Sequence, residues 1–343
     1  MTQKDNVNRQ WILAKRPVGE PNSDTLRLIE SAPPEAGASQ MLLRTEFLSL
    51  DPYMRGRMSD APSYAPSVEI GGVMVGSTIA RVMTSAVEGF VPGDWVLSLN
   101  GWQDYTMSDG TGVINLGATP EHPSWALGVL GMPGLTAYAG LTEIGQPKLG
   151  ETIVVAAATG PVGSTVGQIG KILGCHVVGI VGGPDKCAYA VKTLGFDACI
   201  DHKRDDLAAL LAKACPKGID VYFENVGGKV LDAVLPLLNS AARVPLCGLV
   251  SQYNATALPE GPDRTNALLG LILRKRLTVR GFIVFQDFSP LYPQFIETVG
   301  AWVAEGKIRY VEDIVDGLEN ASSAFVGLLR GDNLGKRVIR VGV

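Results

Sequence analysis

The chain has 343 residues, of which 46% are hydrophobic and 19% are charged, and this length predicts two domains rather than one. Its 30 Lys and Arg against 34 Asp and Glu give a net charge of -4, which argues against nucleic acid as the main partner. The apolar runs fall far short of the ~18 residues of a membrane span, and the polar N-terminal sequence has no apolar signal region. We therefore expect a soluble, cytoplasmic protein that binds no membrane.

The cysteines and histidines argue against disulfides and against a metal site. The five cysteines are odd in number and form no C-x-x-C pair, which favours free thiols in a reducing compartment. The three histidines show neither H-x-x-x-H nor H-E-x-x-H. We therefore predict no zinc site.

Two different patterns follow one another along the chain. Over residues 9–125, short apolar runs such as WILA and MLLRTEFLSL are broken by Pro, Gly, Ser and Asp, which predicts a mostly β domain. From about residue 126, strand-like runs alternate with helical patterns, which predicts βαβ units and a parallel sheet. An apolar strand over 277–285 either pairs across a two-fold axis or lies in the interior. A short helix over 320–329 and a strand, KRVIRV, follow.

The segment 152–174 carries the pattern of a dinucleotide-binding loop. An apolar strand ends in ATGPVG, residues 158–163, and leads into a predicted helix, so G-x-G-x-x-G has alanine in its first position. Gly160 removes the Cβ that would keep a pyrophosphate off the backbone, and Gly163 lets helix and strand pack closely. Pro161 suits a first helical turn. The sequence predicts a dinucleotide at this helix N-terminus; a tight turn without a nucleotide is the alternative.

The end of the next strand favours NADP over NAD. An NAD site has an acidic residue there, which holds the ribose 2′-hydroxyl. Here the strand His176–Val181 ends in GGPDK, residues 182–186, which leaves room for a phosphate and puts Lys186 in the next helix's first turn. A cation there opposes the helix dipole, so a bound anion explains it better than the alternative, a surface lysine paired with Asp185. NADPH is the predicted cofactor.

These residues and several longer segments resemble the medium-chain dehydrogenase/reductase superfamily, in its zinc-independent branch of alkenal, prostaglandin, double-bond and curcumin reductases. The most specific segments are LDPYMR (50–55), GMPGLTAY (131–138), DVYFENVGG (220–228) and DNLGK (332–336). The resemblance covers essentially the whole chain. It implies an α/β fold: a GroES-like, mostly β domain of residues 1–128 and 308–343, and a Rossmann domain, with a doubly wound parallel sheet, of residues 129–307.

The resemblance also implies an activity and roles for single residues. Members of the branch use NADPH to saturate the C=C bond of α,β-unsaturated ketones and aldehydes, usually as homodimers. The pyrophosphate would lie on Gly160, Pro161, Val162 and Gly163, and the 2′-phosphate on Lys186 and His202. Many relatives have tyrosine at position 202, so histidine there makes cofactor preference sensitive to pH. The rest of the implied cofactor site is Met132, Thr136, Asn225, Cys247, Gly248, Ser251, Tyr253, Phe282, Val284 and Asn333.

Tyrosine is the expected catalytic group. Hydride transfer to the β-carbon builds negative charge on the carbonyl oxygen, which needs a hydrogen-bond donor, and the α-carbon then needs a proton. Tyr253 follows a predicted strand end, where such folds place their sites, and it matches the family's active-site tyrosine. A phenol with a pKa of about 10 stays protonated at neutral pH. We expect Tyr253 to bind the carbonyl; whether it also supplies the proton, through the nicotinamide ribose, stays open.

The remaining candidates lie in loops of the β domain. Tyr53 and Tyr64 are each close to a proline, and in the family such loops line the substrate cleft; an ordinary amphipathic tyrosine is the alternative for both. Arg55 and Arg57 are expected to be solvated rather than to steer an acidic substrate. Two other functions stay open: a quinone reductase of the same superfamily and a non-catalytic NADPH-binding protein.

Overall fold

The computed structural model describes residues 7–258 and 261–342, and the chain forms two compact units. The β unit contains residues up to Leu127 and those from Glu312 on, and the α/β unit runs from Gly128 to Val311. Residues 1–6, which begin the segment tested for a signal sequence, lie outside the described residues, as do residues 259 and 260 in the loop after Tyr253.

The secondary structure is numbered in chain order. The strands are β1 (Asn8–Leu13), β2 (Leu26–Ser31), β3 (Met41–Ser49), β4 (Thr78–Ser85), β5 (Trp95–Ser98), β6 (Tyr105–Ser108), β7 (Ile114–Gly117), β8 (Thr152–Ala156), β9 (His176–Val181), β10 (Ala198–Asp201), β11 (Ile219–Phe223), β12 (Leu238–Leu246), β13 (Thr278–Gly281), β14 (Glu312–Asp316) and β15 (Lys336–Arg340). The α-helices are α1 (Met54–Arg57), α2 (Met132–Ala139), α3 (Pro161–Ile172), α4 (Pro184–Lys192), α5 (Leu207–Ala214), α6 (Gly228–Val234), α7 (Thr265–Lys275), α8 (Val284–Asp287), α9 (Tyr292–Ala304) and α10 (Ala321–Arg330).

The α/β unit is built on a six-stranded parallel sheet. The strand order is β10-β9-β8-β11-β12-β13. Every residue of β8 is buried, as is typical of a parallel strand covered on both faces. The predicted α/β fold with a parallel sheet and a mostly β second domain is confirmed.

The strand predicted over residues 277–285 is too long. β13 ends at Gly281 and forms the edge of the sheet, after which the chain turns into α8. The apolar run continues because Phe282 is buried in the next turn, where its ring packs edge-on against Phe223 at 6.4 Å between centroids. The run of residues 277–285, which also contains Thr278 and Arg280, therefore spans two different elements.

The β unit is organised around β3. This strand pairs antiparallel with β4, β6 and β15, and β14 pairs in parallel with β15. The core on one side includes Trp102 and Phe325, whose rings meet edge-on at 5.6 Å. The C-terminal part of the chain therefore completes a sheet that the N-terminal part begins.

Candidate active site

The order of the parallel strands reverses next to β8. β9 and β10 lie on one side of β8, whereas β11, β12 and β13 lie on the other. In open α/β sheets, ligands bind outside the carboxyl ends of the strands at such a point. The side chain of Asn225, just after β11, spans this point, because its Nδ2 donates to the Ala156 carbonyl oxygen at the end of β8 over 2.8 Å.

The glycine-rich loop follows β8 directly. α3 begins at Pro161, and within the described residues no side chain caps it. A Cβ on Gly163 would lie 2.3 Å from the Ala157 carbonyl oxygen, so this glycine is required for the helix to approach the strand. A Cβ on Gly160 would meet only that same oxygen, at 3.3 Å. Space is therefore left beside Gly160 for a ligand, while Gly163 serves packing.

The ends of β9 and β10 form a basic corner. A Cβ on Gly182 would lie 3.1 Å from His202 Nε2 and 3.2 Å from the Lys203 side chain, so the structure brings these three residues together. Lys186 lies in the first turn of α4. The Asp201 carboxylate accepts the Gly183 and Lys203 backbone N–H groups, which hold its pKa below the usual range.

His202 carries an unused nitrogen in this corner. Its Nδ1 is buried and has no hydrogen-bond partner among the described residues. Burial, and next the charge of Lys229, lower the pKa of His202, while Asp201 opposes the shift. The ring is therefore neutral at pH 7 and still has a nitrogen to offer.

A second cluster lies beyond β11 and β12. The Val250 N–H donates to the Asn225 carbonyl over 3.1 Å, and Ser251 donates to the Val226 carbonyl with both its N–H and its hydroxyl. A Cβ on Gly248 would lie 3.1 Å from the Tyr253 hydroxyl oxygen. The structure thus brings Asn225, Gly248, Ser251 and Tyr253 together. Burial raises the pKa of the neighbouring Cys247 to about 12, so this thiol is not a nucleophile at neutral pH.

Four further predicted residues lie elsewhere in the α/β unit. Met132 opens α2, and the Thr136 hydroxyl donates to its carbonyl over 2.7 Å. Phe282 and Val284 are buried on either side of the turn between β13 and α8. The hydrogen bond between Met132 and Thr136 and the turn that carries Phe282 and Val284 involve no residue of the Tyr253 cluster.

Tyr53, Tyr64 and Asn333 belong to the β unit. The guanidinium carbon of Arg57 lies 5.8 Å from the Tyr53 ring centroid and 5.2 Å from that of Tyr64, so one cation joins both tyrosines. Burial raises the pKa of Tyr53. The side chain of Asn333 is buried and donates to the Gly335 carbonyl over 2.7 Å.

The expectation of a solvated arginine is wrong for Arg55, whereas Arg57 keeps part of its side chain exposed. Arg55 is buried, and its Nη2 donates to the Gly19 carbonyl over 2.8 Å. Arg57 is half-buried between the two rings and donates to the Pro66 carbonyl. Both side chains find partners across the loop because their long stems reach carbonyl groups that a linear pattern does not reveal.

Tyr53 and Arg57 also line a cavity of 540 Å³ in the β unit. Its wall is mostly apolar, with the Glu69 side chain adding a second charge. The lining residues are Tyr53, Arg57, Pro66, Ser67, Val68, Glu69, Gly72, Val73, Val75, Gly76 and Leu99. A volume of this size is typical of a small-molecule site.

Three side chains at these sites were not predicted: Arg57 as a link between tyrosines, Asp201 and Glu224. Glu224 is almost fully buried just after β11. A carboxylate directly after the apolar run IDVYF was the signal that could have found it, because a charge at the end of a buried strand needs a partner.

Within residues 7–258 and 261–342, no three His, Cys, Asp or Glu side chains are grouped as metal ligands.

Comparison with known proteins relates both units to oxidoreductases. Residues 9–116 match a family described as the N-terminal domain of oxidoreductase, and residues 161–301 match one described as zinc-binding dehydrogenase. The chain is 60% identical over 341 residues to an NADPH-dependent curcumin reductase of Escherichia coli, covering 99% of each. It is 41% identical over 341 residues to an NADP(+)-dependent 2-alkenal reductase of Nicotiana tabacum, covering 97% of each.

A solved structure agrees over the same length. The crystal structure of CurA from Vibrio vulnificus in complex with NADPH superposes with a TM-score of 0.96 at 58% identity, covering 98% of this chain and 99% of that one. The similarity therefore extends through both units.

Proposed function

The chain belongs to the medium-chain dehydrogenase/reductase superfamily, and from that premise we propose that it uses NADPH to reduce the C=C bond of α,β-unsaturated ketones and aldehydes. It is an oxidoreductase, and NADPH is its cofactor. The observation that carries the proposal is the 60% identity to an NADPH-dependent curcumin reductase over nearly the whole of both chains. The identity to a 2-alkenal reductase supports the wider class of enones and enals.

The α/β unit offers groups that fit the cofactor. The space beside Gly160 suits a pyrophosphate, and the corner of Lys186 and His202 suits the 2′-phosphate. Position 182 is glycine rather than an acid that would repel this phosphate. When bound, NADPH supplies the hydride that adds to the β-carbon of the substrate.

Tyr253 has the chemistry to stabilise the resulting charge. A phenol hydroxyl donates a hydrogen bond to the carbonyl oxygen, and the bond strengthens as the oxygen becomes an enolate. Its loop is held to the turn that carries Asn225 at the reversal point of the sheet. We propose this role for Tyr253, and a substrate-lining role for Tyr53 and Tyr64 beside the apolar cavity.

The first test is NADPH consumption by the purified protein, followed by absorbance. The panel contains curcumin, a medium-chain 2-alkenal, a 3-alken-2-one and a simple quinone, each repeated with NADH. We expect turnover of the enones and the enal with a preference for NADPH, giving saturated products. Turnover of the quinone alone would make the protein a quinone reductase, and binding of NADPH without any turnover would make it a binding protein.

We further infer a homodimer, in which the β13 edges of two copies pair. The strand is exposed along its length, and α7 presents Leu269 and Leu273, 56% and 79% exposed, in the same unit. An edge strand of this kind pairs readily with its own copy. We also place the enzyme in the cytoplasm, with which its unpaired cysteines agree. No described helix is long and apolar enough to span a membrane.

A further inference from the structure

Glu224 closes the turn between β11 and α6. Its side chain is almost fully buried, and its Oε1 accepts the backbone N–H groups of Val226 over 2.6 Å and of Gly227 over 2.9 Å. Both N–H groups belong to the turn before α6, where no helical partner exists for them. The carboxylate therefore fixes the backbone of the turn that carries Asn225.

The same residue holds the loop after β12. The Glu224 carbonyl oxygen accepts the N–H groups of Cys247 over 2.9 Å and of Gly248 over 3.2 Å. The next two residues of the turn accept from Val250 and Ser251. The turn after β11 and the loop after β12 are thus joined by consecutive hydrogen bonds, and the first of these bonds are made by Glu224.

Tyr253 depends on this arrangement for the position of its hydroxyl. Its N–H donates to the Val250 carbonyl over 3.3 Å, and its hydroxyl oxygen lies close beside Gly248. Both contacts are with residues that hydrogen-bond to the turn at Glu224. A shift of that turn would carry the hydroxyl with it, and a misplacement of about 1 Å costs on the order of 100-fold in rate.

A carboxylate is a costly choice for this place. Burial raises the pKa of Glu224, while the Val226 and Gly227 N–H groups oppose the shift. Its other oxygen, Oε2, is buried and has no hydrogen-bond partner among the described residues, and the same holds for the Tyr222 hydroxyl. The two N–H bonds to Oε1 are therefore the hydrogen bonds that this side chain makes within that part of the chain.

We propose that Glu224 is a positioning residue for the reaction: through the turn that it closes, it holds the Tyr253 hydroxyl where the substrate carbonyl is bound. This rests on the role proposed above for Tyr253. Glutamine at position 224 keeps an oxygen that accepts the N–H groups of Val226 and Gly227, whereas alanine leaves both groups without this acceptor.

Asp220 provides a matched control on the same strand. Its carboxylate, at the amino end of β11, accepts the Thr152 N–H over 2.9 Å and the Asn239 Nδ2 over 2.8 Å. The turns near it carry none of the proposed site residues. Asp220→Ala therefore removes a comparable carboxylate and should lower the melting temperature without changing kcat.

The test compares Glu224→Ala, Glu224→Gln, Asp220→Ala and Tyr253→Phe in the full-length protein with a turned-over enone. We expect Glu224→Ala to lower kcat about 10- to 100-fold, and by a larger factor than it raises the Kd for NADPH, measured from NADPH fluorescence, because the turn that shifts also carries Asn225. Glu224→Gln should stay within about 3-fold of the parent. Combining Glu224→Ala with Tyr253→Phe should cost little more than Tyr253→Phe alone, because residues that act as a unit are non-additive.

Independent, additive effects of Glu224→Ala and Tyr253→Phe on kcat would overturn the proposal, as would an equal loss of kcat in Asp220→Ala. Full turnover by Tyr253→Phe would instead remove the role of Tyr253 itself. The two failures are therefore distinguishable.

Discussion

A single phenol hydroxyl carries the proposed chemistry, since Tyr253 is the titratable side chain among the four described residues that form its cluster. We expect Tyr253→Phe to lower kcat/KM for an enone about 100- to 1000-fold, the cost of removing one oxyanion donor, with little change in the KM for NADPH. Steady-state kinetics with both substrates varied would check this. Tyr292→Phe is the control, because its hydroxyl lies on α9, outside the candidate site. Unchanged turnover in Tyr253→Phe would contradict the assignment.

We expect His202 to give the proposed cofactor site a pH dependence, whose sign follows from the surroundings of the ring. Because its pKa lies below its ordinary value, the ring gains a proton only as the pH falls below about 6.5. The folded protein without cofactor then loses stability, since the unfolded chain binds that proton more readily. In the proposed site, a bound 2′-phosphate would reverse the preference, because it would pair with the charged ring, beside Asp201, Lys203 and Lys229.

We therefore expect the KM for NADPH to be higher in His202→Asn than in the parent. The ratio of the two KM values should grow about 3- to 10-fold as the pH falls from 7.5 to 5.5. The phosphate itself also titrates in this range, with a second pKa near 6. The variant lacks the histidine and therefore shows the contribution of the phosphate alone. NADH, which has no 2′-phosphate, should show no such growth. A constant ratio would mean that His202 does not face the phosphate.

At the scale of elements, one buried ion pair joins β15 to the end of β3. Lys336 Nζ lies 2.6 Å from Asp51 Oδ1 and donates to the Leu50 carbonyl over 2.8 Å. The side chains are 1% and 7% exposed. Asp51 also accepts from the Ser49 hydroxyl, and it precedes Tyr53 by two residues and the start of α1 by three.

We expect Lys336→Met to destabilise the β unit by about 3–5 kcal/mol, because it leaves a buried carboxylate without its cation. Denaturant unfolding, followed by the tryptophans of the β unit, would measure it. Lys336→Met combined with Asp51→Leu should recover part of the loss. Arg340→Met, which removes a surface pair with Asp316, should cost less than about 1 kcal/mol.

The elements were predictable where their causes are local. The alternation of apolar strands and helices, the loop at 158–163 and the glycine at 182 each depend on neighbours in sequence. The edge position of β13 and the burial of Arg55 depend on segments more than 30 residues away, and the contacts of the Glu224 carbonyl with Cys247 and Gly248 cross from one strand end to the next. No local pattern records such contacts, so the sequence predicted the sheet but not the way Tyr253 is held.

At the scale of the whole molecule, the proposed homodimer makes the edge of the parallel sheet the expected determinant of the oligomeric state. We expect Val279→Lys, on β13, to turn a dimer into a monomer, because a charge on an edge strand opposes pairing. Light scattering after size-exclusion chromatography would show the mass halved. Ile314→Lys is the control, because β14 is also an edge strand but belongs to the β unit. A parent protein that is already monomeric would refute the proposed dimer.

The divided β unit has a consequence for the nascent chain. β3 leaves the ribosome early, but its partner β15 follows only after the whole α/β unit has been synthesised. At translation rates of about 5–20 residues per second, this delay amounts to roughly 15–60 seconds. During that time the Phe47–Ser49 end of β3 lacks its partner strand and Asp51 lacks its lysine, so the half-built sheet is exposed to aggregation and open to chaperones. The part of the chain that is made first is thus the last to finish folding.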